Sequence, residues 1–455
     1  MITIQAQKRL LGVFLSIGIL VMAMAPVTLA GQDGEFNADI NWQKFTGTQL
    51  KIAVCSHPAQ RILESMLGEF EALTGIKVTF DRYEETILNQ KLATQMLTES
   101  STYNACMLFL MEIPEWASQG WLEDLMPYLN NPKLTDKSWY DLDDFYAPFI
   151  KLGRGIDPSM VKPWGSEDKL YGLPLTGEIS IVYYRKDLFE KYGVMKPPTS
   201  WGEFYDAVKK LTVDNVYGYV GRRRRMQSVC QWTGYLFSWG GRWFDEDWNP
   251  VIDSPEAIES LQFYHDLEKF ASPDIVDFGF PECLANFAEG KAGFWLDMSV
   301  GQSSLEDPSF SKVVGKVGYA PCPVGKAGLK GFGWTWLIAI PSATKDKEAA
   351  WYFLQWATSK EVFRKGLMSV GCPRESIVNS KEYADRFPKD WIYACSTMLQ
   401  PSVFVAVPMP LVPKSGELMD ILGIKAAPVV SGIKTPAEAL HEAAKEWRRI
   451  IAEYR

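Results

Sequence analysis

Leu50-Lys51-Ile52-Ala53-Val54, Ile76-Lys77-Val78-Thr79-Phe80 and Ala105-Cys106-Met107-Leu108-Phe109-Leu110 are three short strand-like runs, and what lies between them decides the fold. Between the first two, Ile62, Leu63, Met66, Leu67 and Phe70 recur at helical spacing, and Gly75 ends the pattern. Between the second and third, residues 87–97 read as another helix. Strand, helix, strand, helix, strand at this rhythm predicts a parallel sheet with helices on its faces. Ligands of such sheets sit beyond the carboxyl ends of the strands. Those ends are Cys55-Ser56-His57, residues 81–85, and Met111-Glu112.

Further along the chain, residues 168–178 carry Gly172, Pro174 and Gly177 on an otherwise extended path, as a crossing between lobes requires. Ile179-Ser180-Ile181-Val182-Tyr183-Tyr184 follows as a strand. Helices are expected over 187–192, after Ser200 with Glu203 at the capping-box position, and after Ser254 with Pro255 in its first turn. Another closes at residues 287–290. Residues 292–296 and 334–340 read as buried strands, 347–358 as a strongly apolar helix, and 435–454 as an amphipathic one. Internal repeats and low-complexity segments are absent from the sequence.

At the other end, Lys8 and Arg9 precede an apolar run over residues 10–25, and Thr28-Leu29-Ala30 offers small residues before Gly31-Gln32-Asp33-Gly34. This is the pattern of a secretory signal. The run is shorter than the roughly 20 residues a membrane span needs, and no cysteine follows closely. The reading is a signal peptide over 1–30, cleavage near Ala30, and a soluble product in the periplasm.

The 455 residues, 47% of them hydrophobic, are enough for more than one lobe. A net charge of −8 weighs against nucleic acid or anionic lipid as a partner. Seventeen Trp, 19 Tyr and 24 Phe are core material, yet Trp often keeps a polar edge wet, which suits a surface that stacks on the apolar faces of sugars. Seven cysteines without a CxxC support neither a zinc ribbon nor a redox motif. They read as buried small hydrophobes, with any pairing left open.

Five pieces then recur in a specific order. They are Tyr171-Gly172-Leu173-Pro174 with Glu178; Tyr183-Tyr184-Arg185-Lys186-Asp187-Leu188-Phe189; Pro197-Pro198-Thr199-Ser200-Trp201; Phe287-Ala288-Glu289-Gly290-Lys291-Ala292-Gly293-Phe294-Trp295; and Ile340-Pro341 with Lys347-Glu348-Ala349-Ala350. From Lys169 onward the chain resembles the extracellular solute-binding proteins of ABC importers, in the sugar-binding group (family 1) that includes maltose- and polyol-binding proteins. The resemblance implies a two-lobed α/β periplasmic-binding-protein fold. Each lobe is a mainly parallel sheet flanked by helices, and hinge strands join them. Lobe 1 is then 48–175 with 335–370, lobe 2 is 177–331 with 372–455, and the hinges fall near 175–177, 332–334 and 370–371. It also implies an extracytoplasmic subunit that closes on a sugar or polyol and delivers it to the permease subunits. Such a protein is a monomer, with no cofactor, no metal and no chemistry of its own.

The residues that fit such a site are few. Glu178 lies just past the first crossing, where the family places an acid on ligand hydroxyls. Asp297 follows a strand that reaches the same cleft. Trp334 and Trp336 flank the second crossing and are expected to face opposite sides, Trp334 the cleft. His57, Glu84 and Glu112 follow the first three strands. Trp232 and Trp239 line the second lobe or its core. Arg374 stands at the third crossing, placed to bridge lobes or grip a ligand. The run Arg222-Arg223-Arg224-Arg225 reads as a solvated turn, with Arg222 reaching the cleft.

Asp245, Asp247, Asn249, Asp253 and Glu256 match the spacing of a calcium loop, but Pro250 stands where the sharp turn needs glycine, so a hairpin turn is expected. There is no P-loop, HExxH or GxSxG motif, and only three histidines occur: His57, His265 and His441. A secreted glycoside hydrolase is the alternative, since that chemistry needs only two carboxyls at a set separation.

Overall fold

The computed structural model describes residues 36–453 apart from 101, 161 and 214. The signal peptide read at residues 1–30 lies outside the described residues. Residues 38–455 make up one compact unit of the chain.

Eleven strands form among the described residues: β1 (Gln49–Cys55), β2 (Lys77–Tyr83), β3 (Ala105–Leu108), β4 (Leu173–Pro174), β5 (Glu178–Arg185), β6 (Tyr217–Val220), β7 (Ala292–Met298), β8 (Val317–Ala320), β9 (Gly331–Trp334), β10 (Leu337–Ala339) and β11 (Phe404–Ala406). They divide into two sheets. The first runs β2-β1-β3-β10-β4, and the second β11-β9-β5-β7-β6 with β8 also on β5. Helix Pro58–Thr74 starts with Pro in its first turn and stops at Gly75, whose φ of 70° is the left-handed conformation glycine adopts without strain.

In the first sheet β1, β2 and β3 are parallel, and β10 runs against them. In the second, β5 is antiparallel to β7, β8 and β9, while β6–β7 and β9–β11 are parallel. Both sheets are therefore mixed, a refinement of the mainly parallel expectation. The cause is the crossing: β5 enters the second sheet directly from β4, and β10 returns to the first directly from β9, so each arrives with its direction reversed.

The expected strand over 334–340 is two strands. Gly331–Trp334 pairs with Glu178 and Ile179 in the second sheet, and Leu337–Ala339 pairs with β3 and β4 in the first. The chain changes sheet at Thr335 and Trp336. There, Leu175 N–H donates to Trp336 O (2.7 Å) and Trp336 N–H to the Thr176 hydroxyl (3.0 Å). Residue 371, from later in the chain, lies against the first crossing: Gly177 N–H donates to Gly371 O at 3.1 Å. Gly371 has φ of 94°, and a Cβ on it would sit 2.7 Å from Gly177 O. A Cβ on Gly177 would lie 2.8 Å from the Cys372 backbone. Two bare backbones are required for this approach.

The aromatic residues are mainly core. Trp351 and Trp356 lie fully buried beside the first sheet's helices, as do Trp295 on β7 and Trp232, Trp243 and Trp447 around the second sheet. The seven cysteines are unpaired, six of them buried. Lys414 pairs with Glu115 (2.6 Å), Asp157 accepts from Leu411 N–H (3.0 Å), and Lys162 O accepts from Trp248 Nε1–H (2.9 Å).

Gly371→Ala should cost about 1–3 kcal/mol more than Gly47→Ala, the scale of forcing atoms into filled space. Both positions have positive φ, but nothing lies within 4 Å of a Cβ on Gly47. Urea unfolding of the two variants measures the difference; equal losses refute the close-approach argument.

Candidate functional site

Glu178 opens β5, where the chain enters the second sheet, and it is 4% exposed. The Thr176 hydroxyl donates to its Oε1 at 3.0 Å, and that hydroxyl's oxygen accepts from Trp336. Among the described residues no lysine or arginine pairs with Glu178. Burial therefore pushes its carboxyl up to about 8; Thr176 and then the charge of Arg222 oppose this, while Asp297 and Glu85 add to it. Its neighbour His57 caps helix Pro58–Thr74, and His57 Nδ1 accepts from Ala59 N–H at 3.1 Å. The neutral ring then carries its proton on Nε2, assigned from that hydrogen bond. Nε2 faces Glu178 Oε1 at 3.9 Å. Burial lowers the His57 pKa to about 4, so the ring is neutral at pH 7.

Arg222 and Asp297 form a two-point pair. Asp297 Oδ2 accepts from Arg222 Nε at 2.9 Å, and Oδ1 accepts from Arg222 Nη2. Trp295 Nε1–H donates to Oδ2 (3.1 Å) and Met298 N–H to Oδ1 (2.8 Å). A carboxylate has about four acceptor positions, and these four bonds fill them. Asp297, 2% exposed, is brought to the site, but it grips Arg222 and keeps nothing for a ligand. Burial opposes the charge on Arg222, and Asp297 outweighs it, so the guanidinium pKa rises. Nη1 takes no partner among the described residues.

The expectation that Trp334 and Trp336 face opposite sides fails. Residues two apart share a side of an extended chain, and their rings meet edge to face at 5.9 Å. Phe109, just past β3, completes the group at 4.8 Å from Trp336 and 6.3 Å from Trp334. His57 lies 5.8 Å from Trp336. Trp334 is the half-exposed member, while Trp336 and Phe109 are buried. Trp334 is also the register partner of Glu178.

Other expected residues go elsewhere. Glu84 stands exposed at the start of helix Glu85–Leu97. The next residue, Glu85, is the acid coupled to Arg222 and Glu178: it stays accessible to water while surrounding protein raises its pKa, against the pull of Arg222. A one-residue shift at a strand-to-helix junction turns the side chain by about 100°, and residue spacing did not resolve it. Glu112 accepts from Asn89 at 2.9 Å, and no bond joins it to Glu178 or Arg222 among the described residues. Trp232 is core: its Nε1–H donates to Ser260 (2.9 Å) and its ring packs on Trp243. Trp239 packs on Trp201 and Phe263.

Arg374 is fully buried, and its five N–H groups serve Thr358 O, Tyr140 O, Asp141 O and Asp144. Its plane lies 3.9 Å from the Phe145 ring. It fastens the third passage to the first half of the molecule and has no donor left for a ligand. The solvated-turn reading of 222–225 fails at Arg223, which is buried over the Tyr264 ring (3.5 Å) and paired with Glu268. Gln231, which spacing did not single out, accepts from Arg222 N–H and donates to Leu296 O, tying the Arg222 loop to β7. The 245–249 segment is the expected turn, with Asp245 Oδ1 accepting from Asp247 N–H and Asn249 N–H and Phe244 bridging to Pro250. Among the described residues no group of three His, Cys, Asp or Glu is placed to hold a metal.

Two mixed α/β sheets joined by three passages, with polar and aromatic side chains gathered where they cross, define a two-domain substrate-binding protein of the periplasmic type. Residues 56–362 match the family described as bacterial extracellular solute-binding protein, and the chain belongs to that family. The mannitol-binding protein of Pseudomonas aeruginosa is 33% identical over 286 residues, a match spanning 61% of this chain and 61% of the relative. The erythritol/L-threitol-binding protein of Mycolicibacterium smegmatis is 27% identical over 343 residues, spanning 73% and 71%. A solute-binding protein of Agrobacterium vitis S4 with bound D-mannitol is 30% identical at a TM-score of 0.75, covering 90% of this chain and 99% of that one. One from Agrobacterium radiobacter K84 in complex with ribitol is 26% identical at a TM-score of 0.77, covering 89% and 99%.

The stability that Glu178 contributes is full below its ordinary value of 4.5 and is lost as pH rises through about 8, because the folded state resists ionising it. Glu178→Gln removes that loss. The melting temperature of the wild type relative to this variant should therefore fall between pH 5 and pH 8.5. A constant difference across that range refutes the assignment.

Proposed function

We propose that this protein is the extracytoplasmic substrate-binding subunit of an ABC importer, and that its ligand is an uncharged sugar alcohol. The observation that carries the reading is a buried carboxyl with no paired cation among the described residues, Glu178, facing the neutral donor His57 and within reach of the charge of Arg222, whose Nη1 is unpartnered among the described residues. Around them stand Trp334, Trp336 and Phe109. Hydroxyls both donate and accept, so a polyol satisfies such a mixture, while its carbon backbone covers the rings. Mannitol, ribitol, erythritol and L-threitol in the names of the relatives and neighbours support the same class.

The two sheets belong to lobes 48–175 with 335–370 and 177–331 with 372–455, which close by bending at the three passages. The Gly177–Gly371 contact supports a hinge of few residues. Closure buries the ligand and presents a surface to the permease. The protein is exported to the periplasm through a cleaved signal, acts as a monomer, and returns its ligand unchanged. A glycosidase needs a second carboxyl free to act as base or nucleophile. Asp297 is saturated by four donors, which disfavours that chemistry.

A thermal-shift screen should show alditols raising the melting temperature by mass action, with the same alditol recovered intact after incubation. Glu178→Ala should weaken calorimetric affinity at least about tenfold, the scale of one lost buried hydrogen bond. No shift with any polyol or sugar, or turnover of a disaccharide, rejects the proposal; unchanged affinity in Glu178→Ala removes that residue from the site.

A further inference from the structure

An arginine in a ligand cleft is ordinarily an anion receptor, because its planar fork meets a carboxylate or phosphate with two parallel hydrogen bonds. Here the Nε–Nη2 edge of Arg222 already holds a carboxylate, that of Asp297. We infer that Asp297 is the specificity-determining residue that makes this site accept uncharged polyols and refuse the matching polyhydroxy acids, by keeping the fork of Arg222 occupied. The inference rests on the polyol reading and adds a reason for the ligand's charge.

Three features make the occupation permanent. Asp297 is fixed from the other side by Trp295 Nε1–H and Met298 N–H, so it cannot turn away without stranding buried donors. The Arg222 backbone is clamped as well. Its N–H donates to Gln231, and its carbonyl accepts from the Tyr264 hydroxyl (2.6 Å) and from Arg223 Nη1 (2.9 Å). Its guanidinium lies 5.0 Å over the Phe280 ring, which limits where the fork can go. The remaining acids whose charge reaches Arg222 are Glu178 and Glu85. An incoming carboxylate meets a cation already committed to Asp297, with the acid Glu85 coupled to the same cation. A hydroxyl accepts from Nη1 and donates to an acid at no such cost.

The test uses titration calorimetry at pH 7 with three matched pairs: D-mannitol and D-mannonate, ribitol and D-ribonate, erythritol and D-erythronate. The wild type should prefer its best alditol over the matching acid by about 100-fold or more, since a like charge in such a site costs several kcal/mol. Asp297→Asn keeps the shape and frees the Nη2 side of the fork, so the preference should shrink at least about tenfold while the melting transition stays cooperative. If that variant fails to fold, Asp297→Ser opens the same edge with less bulk. Equal wild-type binding of alditol and acid overturns the inference, as does an unchanged preference in a folded variant. Binding of none of the six by the wild type instead overturns the polyol reading, and the inference falls with it.

Discussion

The contact between Gly177 and Gly371 constrains everything around it. Two backbone passages lie close enough for one to hydrogen-bond the other, with no room for a Cβ on either. Beside them the second passage is tied in by Leu175 and by the Thr176 hydroxyl. The same hydroxyl then donates to Glu178. One residue thus links the crossing to the acid of the site, so a change in how the passages lie is felt at the carboxyl. That linkage is how a fold of two sheets places its chemistry at the seam.

Electrostatics at the seam follow from who is paired and who is not. Asp297 and Arg222 neutralise each other and hold each other still. Glu178, similarly buried, is bonded by a hydroxyl and faced by a neutral imidazole, and the charge of Arg222 does not offset its burial. Burial consequently dominates its titration, and the carboxyl is poorly disposed to ionise. Hydroxyl groups of a ligand are well suited to relieve it, because each brings a donor into a place water reaches with difficulty. The rings of Trp334, Trp336 and Phe109 add area without adding charge.

Much of the fold was legible because periodicity is a local property. The helices at 58–74, 186–192 and 347–357 and the strands at 49–55 and 292–298 answer to spacing, caps and glycines visible along the chain. Reading 334–340 as one strand failed because a continuous apolar run does not reveal which sheet each half joins. Trp232, Trp239 and Arg374 were attractive as site residues by type and position. Their burial against Ser260, Phe263 and Thr358 depends on segments far away in the chain. Glu85 escaped notice for the same reason, since it acts on the distant Arg222, and so did Gln231, which ties the Arg222 loop to Leu296 far along the chain.

By itself the sequence determined the class of architecture, the order of strands and helices, the family, and Glu178 as the acid at the first crossing. These rest on local pattern and on strings that survive without knowledge of what they touch. Only the tertiary structure decided that Asp297 serves Arg222 and that both tryptophans share one side. It also decided that Arg374 is a fastener and that Glu178 pairs with no lysine or arginine among the described residues. Such facts are pairings across long sequence separations, and pairing, more than residue type, sets whether a buried polar group is spent or free.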